Sequence, residues 1–168
     1  MNRYFVTLAR YNEWANRRLY DAVGRLSEAE YMQPRPSFFG SIHATLNHIL
    51  VADRIWLARI EEKPNPPYRL DQILYGDLVA LRVAREAEDA RILNLVSGIE
   101  ESRLDQILAY ANTKGERQHT QLRLVLGHFF NHQTHHRGQV HGLLSHAGVE
   151  PPPLDLIFFL RQPSAASD

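Results

Sequence analysis

The sequence predicts an all-α protein: a four-helix bundle with a crossover connection and a small hairpin ahead of the last long helix. Three observations carry that expectation. Apolar residues recur at intervals of three and four along four long stretches. Proline clusters at Pro34 and Pro36, at Pro64, Pro66 and Pro67, and at Pro151-Pro152-Pro153 break the chain outside those stretches. One short stretch alternates with period two instead. A chain of 168 residues suits one hydrophobic core, so one domain over residues 1–162 and a flexible tail over 163–168 are expected.

The first segment runs from about Tyr4 to Leu26, with Leu8, Tyr11, Ala15, Leu19 and Ala22 on one stripe. Ser27 and Glu30 then read as a capping box that opens a short turn. The second segment, Ser41 to Glu62, carries apolar groups around most of its circumference, which marks a central helix. The third, Leu74 to Ile99, shows Leu78, Leu81, Ala84, Ala87 or Glu88, Ile92 and Leu95 against a charged face, the pattern of a more exposed helix.

From Leu104 to Gln118 the pattern changes. Leu104, Gln106, Leu108 and Tyr110 share one face of an alternating run, and Asn112-Thr113-Lys114-Gly115 is a turn signal, so a hairpin is predicted. The fourth segment runs from about Thr120 to Ala147 and stops at Gly148. Leu154 to Leu160 forms a last short helix or strand. The long connection between segments three and four allows the crossover.

Composition excludes several function classes. Lys plus Arg and Asp plus Glu both number 19, so the chain lacks the basic surplus that nucleic-acid binding needs. There is no cysteine, which rules out disulfides, thiolate metal sites, iron–sulfur clusters and cysteine nucleophiles. No apolar run reaches the roughly 18–20 residues that span a bilayer, and no leader-like stretch follows Met1. A cytoplasmic protein without membrane or nucleic-acid partners is expected.

Histidine is the unusual residue, with nine copies. In segment four, His128, His132 and His136 lie four apart, so each stands about one turn above the last. Imidazoles at i and i+4 can aim their ring nitrogens at one point, as two helix histidines do when they hold a metal ion. Facing selects among them. With His132 as zero, the apolar stripe Leu122, Val125, Phe129, Val140, Leu143 and Ala147 spans about +20° to +80°. His136 falls inside it and His132 on its edge. His128 is marginal, and His135 and His141 face away. A third ligand must come from another helix. His48 of segment two, flanking the apolar side with Thr45, Ala52, Ile55 and Arg59, is a better candidate than His43.

The blocks Asn131-His132-Gln133-Thr134-His135-His136-Arg137-Gly138-Gln139, Leu46-Asn47-His48-Ile49-Leu50 with Asp53-Arg54-Ile55-Trp56, and Tyr11 to Leu19 resemble the DinB/YfiT-like family of metal-binding four-helix proteins. Asn112 to Glu116 resembles the stretch ahead of that family's last long helix, and the likeness covers residues 4–147. The resemblance implies a crossover bundle, a homodimer, and a divalent metal held by His48, His132 and His136. Three imidazoles leave coordination positions open, which favours chemistry over a structural staple. Zinc or nickel is expected ahead of iron, manganese or copper, although nitrogen ligation alone does not select the ion.

Some relatives transfer groups to low-molecular-weight thiols, so the resemblance implies a metal-dependent S-transferase, with a hydrolase as the lesser enzyme reading. The alternative is a non-catalytic metal-binding protein tied to stress or sensing. Asp53 and Glu13 are general-base candidates, each expected to be a solvated or ion-paired surface group. Trp14 and Trp56 are expected in the core, and Arg137 and Gln139 in helix packing or a subunit contact. Proton competition for free histidine should lower metal occupancy below about pH 6.

Overall fold

A computed structural model describes residues 2–162. Met1 and the tail expected at 163–168 lie outside the described residues. Four long helices form the bundle: α1 (Asn2–Val23), α3 (Ile42–Ile60), α4 (Leu78–Ser97) and α5 (Leu122–His146). Short helices α2 (Glu28–Met32) and α6 (Leu156–Leu160) flank them, and strands β1 (Ile107–Ala111) and β2 (Arg117–Gln121) precede α5. The helix α1 packs on α4 and α5, and α3 packs on the same two. Helices α1 and α3 therefore occupy one diagonal and α4 and α5 the other. The α4–α5 connection is the predicted crossover, and the α1–α3 connection through α2 spans the other diagonal.

Local chemistry sets the helix ends. Ser27 and Glu30 form the expected capping box: Glu30 N–H donates to Ser27 Oγ, and Ser27 N–H to Glu30 Oε2. Ser41 Oγ accepts from Ala44 N–H at 3.0 Å, and Asp77 from Ala80 N–H at 2.8 Å. Ser41→Ala is expected to cost about 1 kcal/mol, read as a lower urea midpoint with an unchanged slope. At the far end of α5, Gly148 adopts φ +76°, and Val149 N–H reaches back to Leu144 O. That closes the helix with the left-handed residue the sequence placed there.

The hairpin forms in antiparallel pairing, Ile107 opposite Gln121 through Ala111 opposite Arg117. Asn112 Oδ1 accepts from the N–H groups of Lys114 and Glu116, and Gly115 takes φ +82°. The hairpin starts later and ends later than expected. Leu104 belongs to a 3₁₀ turn over Glu101–Asp105, and Gln106 is exposed ahead of β1. Thr120 and Gln121 are held in the ladder, so α5 begins at Leu122.

Sixteen of the 19 residues of α3 are buried, as its apolar circumference predicts. Two large apolar clusters split the main core, beside a small third one at Tyr11, Ala15 and Phe159. One cluster joins Phe5, Leu57, Ile92 and Phe129, and the other joins Leu19, Leu50, Leu81 and Val140. Between them, at mid-height, lies a buried polar layer. Asp53 accepts from Arg85 Nη1 at 2.5 Å and from Gln133 Nε2 at 2.9 Å. Asp89 accepts from Asn12 and Asn16 Nδ2, both at 2.9 Å, and forms an ion pair with Arg85, whose Nη2 lies 3.1 Å away. Arg137 donates to Asn12 Oδ1, to Gln133 Oε1 and to Thr134 Oγ1. Two arginines thereby balance two aspartates, and every buried carboxylate of the layer meets a cation or amide.

This layer corrects two expectations. Asp53 is not a surface group: it is 1% exposed. Nor is the charged residue set of α4 wholly outward, since Arg85, Glu88 and Asp89 are buried and Ala87 is exposed. The tryptophans are half-buried rather than in the core, Trp14 tilted against Phe159 and Trp56 edge-on to Tyr110.

Candidate metal centre

The helices α3 and α5 run antiparallel, because contacts ascending α3 at His48, Asp53 and Trp56 descend α5 at His136, Gln133 and His128. That alignment brings His48 to the α5 pair. His48 Nε2 lies 3.3 Å from His132 Nε2 and 3.2 Å from His136 Nε2. One ring nitrogen of each of the three lies within 4.8 Å of the others. Among the described residues this is the group able to hold a metal ion.

The outer nitrogens decide how the inner ones behave. His48 Nδ1–H donates to Leu70 O at 2.8 Å, and His136 Nδ1–H to Gln139 Oε1 at 2.8 Å. Both Nε2 atoms therefore present lone pairs when the rings are neutral. Burial keeps them neutral. It pushes His48 down to about 4, with His136 adding and the Leu70 carbonyl opposing. It also pushes His132 down to about 3, helped by His136 and His48. His136 is lowered by burial against the pull of Gln139.

Two facing lone pairs 3.2 Å apart repel, and a cation between them removes that cost. The spacing fits such an ion: Zn–N bonds of about 2.0–2.1 Å at the tetrahedral angle separate nitrogens by about 3.3–3.4 Å.

The depressed values bear on the acid limit expected for metal occupancy. Proton competition for these imidazoles falls well below pH 6, toward about 4 at His48. They also link stability to pH. The unfolded chain takes up protons near pH 6.5 that the metal-free fold refuses, so the unfolded state binds more protons. Stability is then full above about 6.5 and falls as pH drops from there toward 4. Burial raises the Asp53 carboxyl, which opposes this trend, so the histidine contribution is read as a difference. The gap in urea midpoint between chelator-treated wild type and the His132→Ala, His136→Ala variant is expected to shift against the wild type on going from pH 7.5 to pH 5.

Four of the other six histidines have the following places. His128 is exposed, its ring 4.9 Å from Trp56 and 5.8 Å from His132, outside the triad. His135 is exposed and meets Gln139 Nε2. His141 is half-buried and donates to Pro152 O, beneath the chain that follows α5. His43 is buried and donates to Tyr75 O. Glu13 pairs with Arg17 at 2.6 Å as a surface group. Both oxygens of Asp53 are occupied in the polar layer. Arg137 does pack between helices, whereas Gln139 orients a ring of the triad.

Sequence reasoning missed two features of the surroundings. Asn47 pins the chain after α3, accepting from the N–H groups of Leu74 and Tyr75 and donating to Tyr75 O. The same connection supplies the Leu70 carbonyl. Phe39 lies flat on His48, ring centroids 3.9 Å apart at 20°, and edge-on to His136. A cavity of about 640 Å³ opens there, reaching His48 and His136.

The bundle thus brings three imidazoles from two helices together beside a cavity, a donor set that could hold a metal ion. The chain belongs to the DinB family, whose model matches residues 1–165. It is 27% identical over 165 residues to Protein DinB of Bacillus subtilis (strain 168), covering 95% of each chain. The fold is similar to YfiT from Bacillus subtilis, with a TM-score of 0.65 and 13% identity over 85% of this chain and 87% of that one. YfiT is described as a probable metal-dependent hydrolase with an unusual four-helix bundle topology. A DinB-like protein from Bacillus cereus ATCC 10987 aligns with a TM-score of 0.63 and 17% identity, over 83% and 89%. Among the described residues no helix is long and apolar enough to cross a membrane.

Proposed function

We propose that the protein binds one divalent ion, zinc or nickel, through His48, His132 and His136, and uses it to transfer a group to a low-molecular-weight thiol. The carrying observation is the convergence of three imidazoles, with His48 Nε2 at 3.3 and 3.2 Å from the Nε2 atoms of His132 and His136, beside an open cavity. A bound divalent ion supplies a Lewis acid that acidifies a coordinated thiol or water. The chain's own residues hold the geometry. Leu70 O and Gln139 fix two ring tautomers, and Phe39 covers one face of His48.

The carboxylates favour the thiol. Asp53 and Glu13 are engaged in ion pairs, and Asp71 at the cavity is paired with Arg69 at 2.8 Å. Water attack gains most from a free general base, whereas a thiol is deprotonated by coordination itself. Hydrolysis is the second reading, supported by the description of YfiT.

The test uses the full chain, stripped by chelation and reloaded with cobalt(II). Small thiols are expected to add sulfur-to-cobalt absorption, and turnover of a thiol with an electrophile should vanish on chelation. Unchanged spectra with metal-dependent ester or amide cleavage would overturn the transferase in favour of a hydrolase. Bound metal with neither activity would leave a stress-related binder or sensor.

We also propose a homodimer, on different grounds from those the sequence suggested. The helix α3 is covered within one chain, but Val79 and Val83 of α4 are 75% and 63% exposed, and Ile157, Phe158 and Leu160 crowd α6. Sedimentation equilibrium in the micromolar range is expected to return twice the chain mass, and a monomer there would refute it.

A further inference from the structure

The turn between α2 and α3 sets two aromatic rings at the mouth of the triad. Gly40 N–H donates to Ser37 O, Arg35 N–H donates to Gly40 O, and Gly40 takes φ +81°, a left-handed conformation that suits glycine. This tight turn points Phe39 onto His48 and leaves Phe38 86% exposed, its ring edge-on to Phe39 at 4.9 Å. Across the cavity stand Leu70 and Ala44. The lining holds one formal charge, Asp71, and Arg69 neutralises it through bonds of 2.8 and 3.0 Å. A volume of about 640 Å³ lies within the size of small-molecule sites.

We infer that this cavity takes the uncharged, apolar tail of a small molecule, an aromatic ring or a branched alkyl group, while the molecule's other end faces the imidazole triad. The inference rests on the metal reading above and adds the substrate class. A charged tail would meet no free counter-ion in the lining and would lose its hydration. An apolar tail covers Phe38 and Leu70, which otherwise face water. The transferred group, rather than a polar thiol, is the part that fits.

Hydroxamates test this, because one chelating head can carry different tails. Titration calorimetry on zinc-loaded full-length protein would compare benzohydroxamate, acetohydroxamate and succinate monohydroxamate. Benzohydroxamate is expected to bind about tenfold more tightly than acetohydroxamate, with the succinate derivative weakest. Phe38→Ala, at an exposed position, should keep the metal stoichiometry and shrink the aromatic preference about threefold. Equal affinities on metal-replete protein, or an unchanged preference in Phe38→Ala, would overturn this inference and leave the metal reading intact. Failure of the protein to retain zinc would overturn both. A change of oligomeric state in Phe38→Ala would overturn it in favour of a subunit contact at this rim.

Discussion

Replacing His132 and His136 together by alanine is expected to abolish stoichiometric divalent-metal binding while the helical content survives. Both rings project from α5 into the space His48 also faces, and neither is part of the two apolar clusters. The variant keeps those clusters and loses two of three donors, and His48 alone makes a weak site. Metal analysis of untagged protein checks the stoichiometry. A thermal scan gives a second reading: a ligand at 100 times its Kd stabilises the wild type by about 2.7 kcal/mol, and the variant should show no metal-dependent shift. His135→Ala is the control, because His135 is exposed and outside the triad. Full metal retention by the double variant would remove the site.

The second large effect is expected at Asp53. Alanine there leaves Arg85, 2% exposed, with Asp89 as its remaining charged partner and strips Gln133 of its acceptor. Removing one member of a buried ion pair costs about 3–5 kcal/mol, and the urea midpoint should drop accordingly. Asp53→Asn keeps an acceptor and should lose less. By contrast, Glu13→Ala should stay within about 1 kcal/mol, because its pair with Arg17 is on the surface. A comparable loss for Glu13 and Asp53 would contradict the assignment of Asp53 to the interior.

The contrast between these two carboxylates shows what the sequence could and could not reveal. The four helices were legible because an apolar stripe repeats within each segment, and capping at Ser27 and the stop at Gly148 are local chemistry. The inward facing of His132 and His136 was legible for the same reason, since spacing and facing belong to one helix. Asp53, Arg85 and Asp89 were not. Each is tolerable inside only because partners arrive from other helices, so its burial leaves no mark in its own segment's periodicity. The support of His48 was hidden differently. Its outer nitrogen is held by a main-chain carbonyl, and every residue has one. Gln139, three residues beyond His136, was in view but had no stated partner until the ring orientation was known.

The split core has a consequence for how the helices choose their alignment. Helices that bury only aliphatic side chains present nearly the same surface after sliding by one turn, about 5.4 Å. Here a slide of α5 along α3 would take the Gln133 amide from Asp53 and pull Arg137 out of the cradle formed by Asn12 and Asn16. Buried charge would lose its partners, at a cost of several kcal/mol, on the scale of about 3–5 for a broken pair. The polar layer works as a notch that rejects slipped packings. His132 and His136 each precede a member of that notch by one residue, Gln133 and Arg137. The same rejection therefore sets the height at which two of the three imidazoles meet His48.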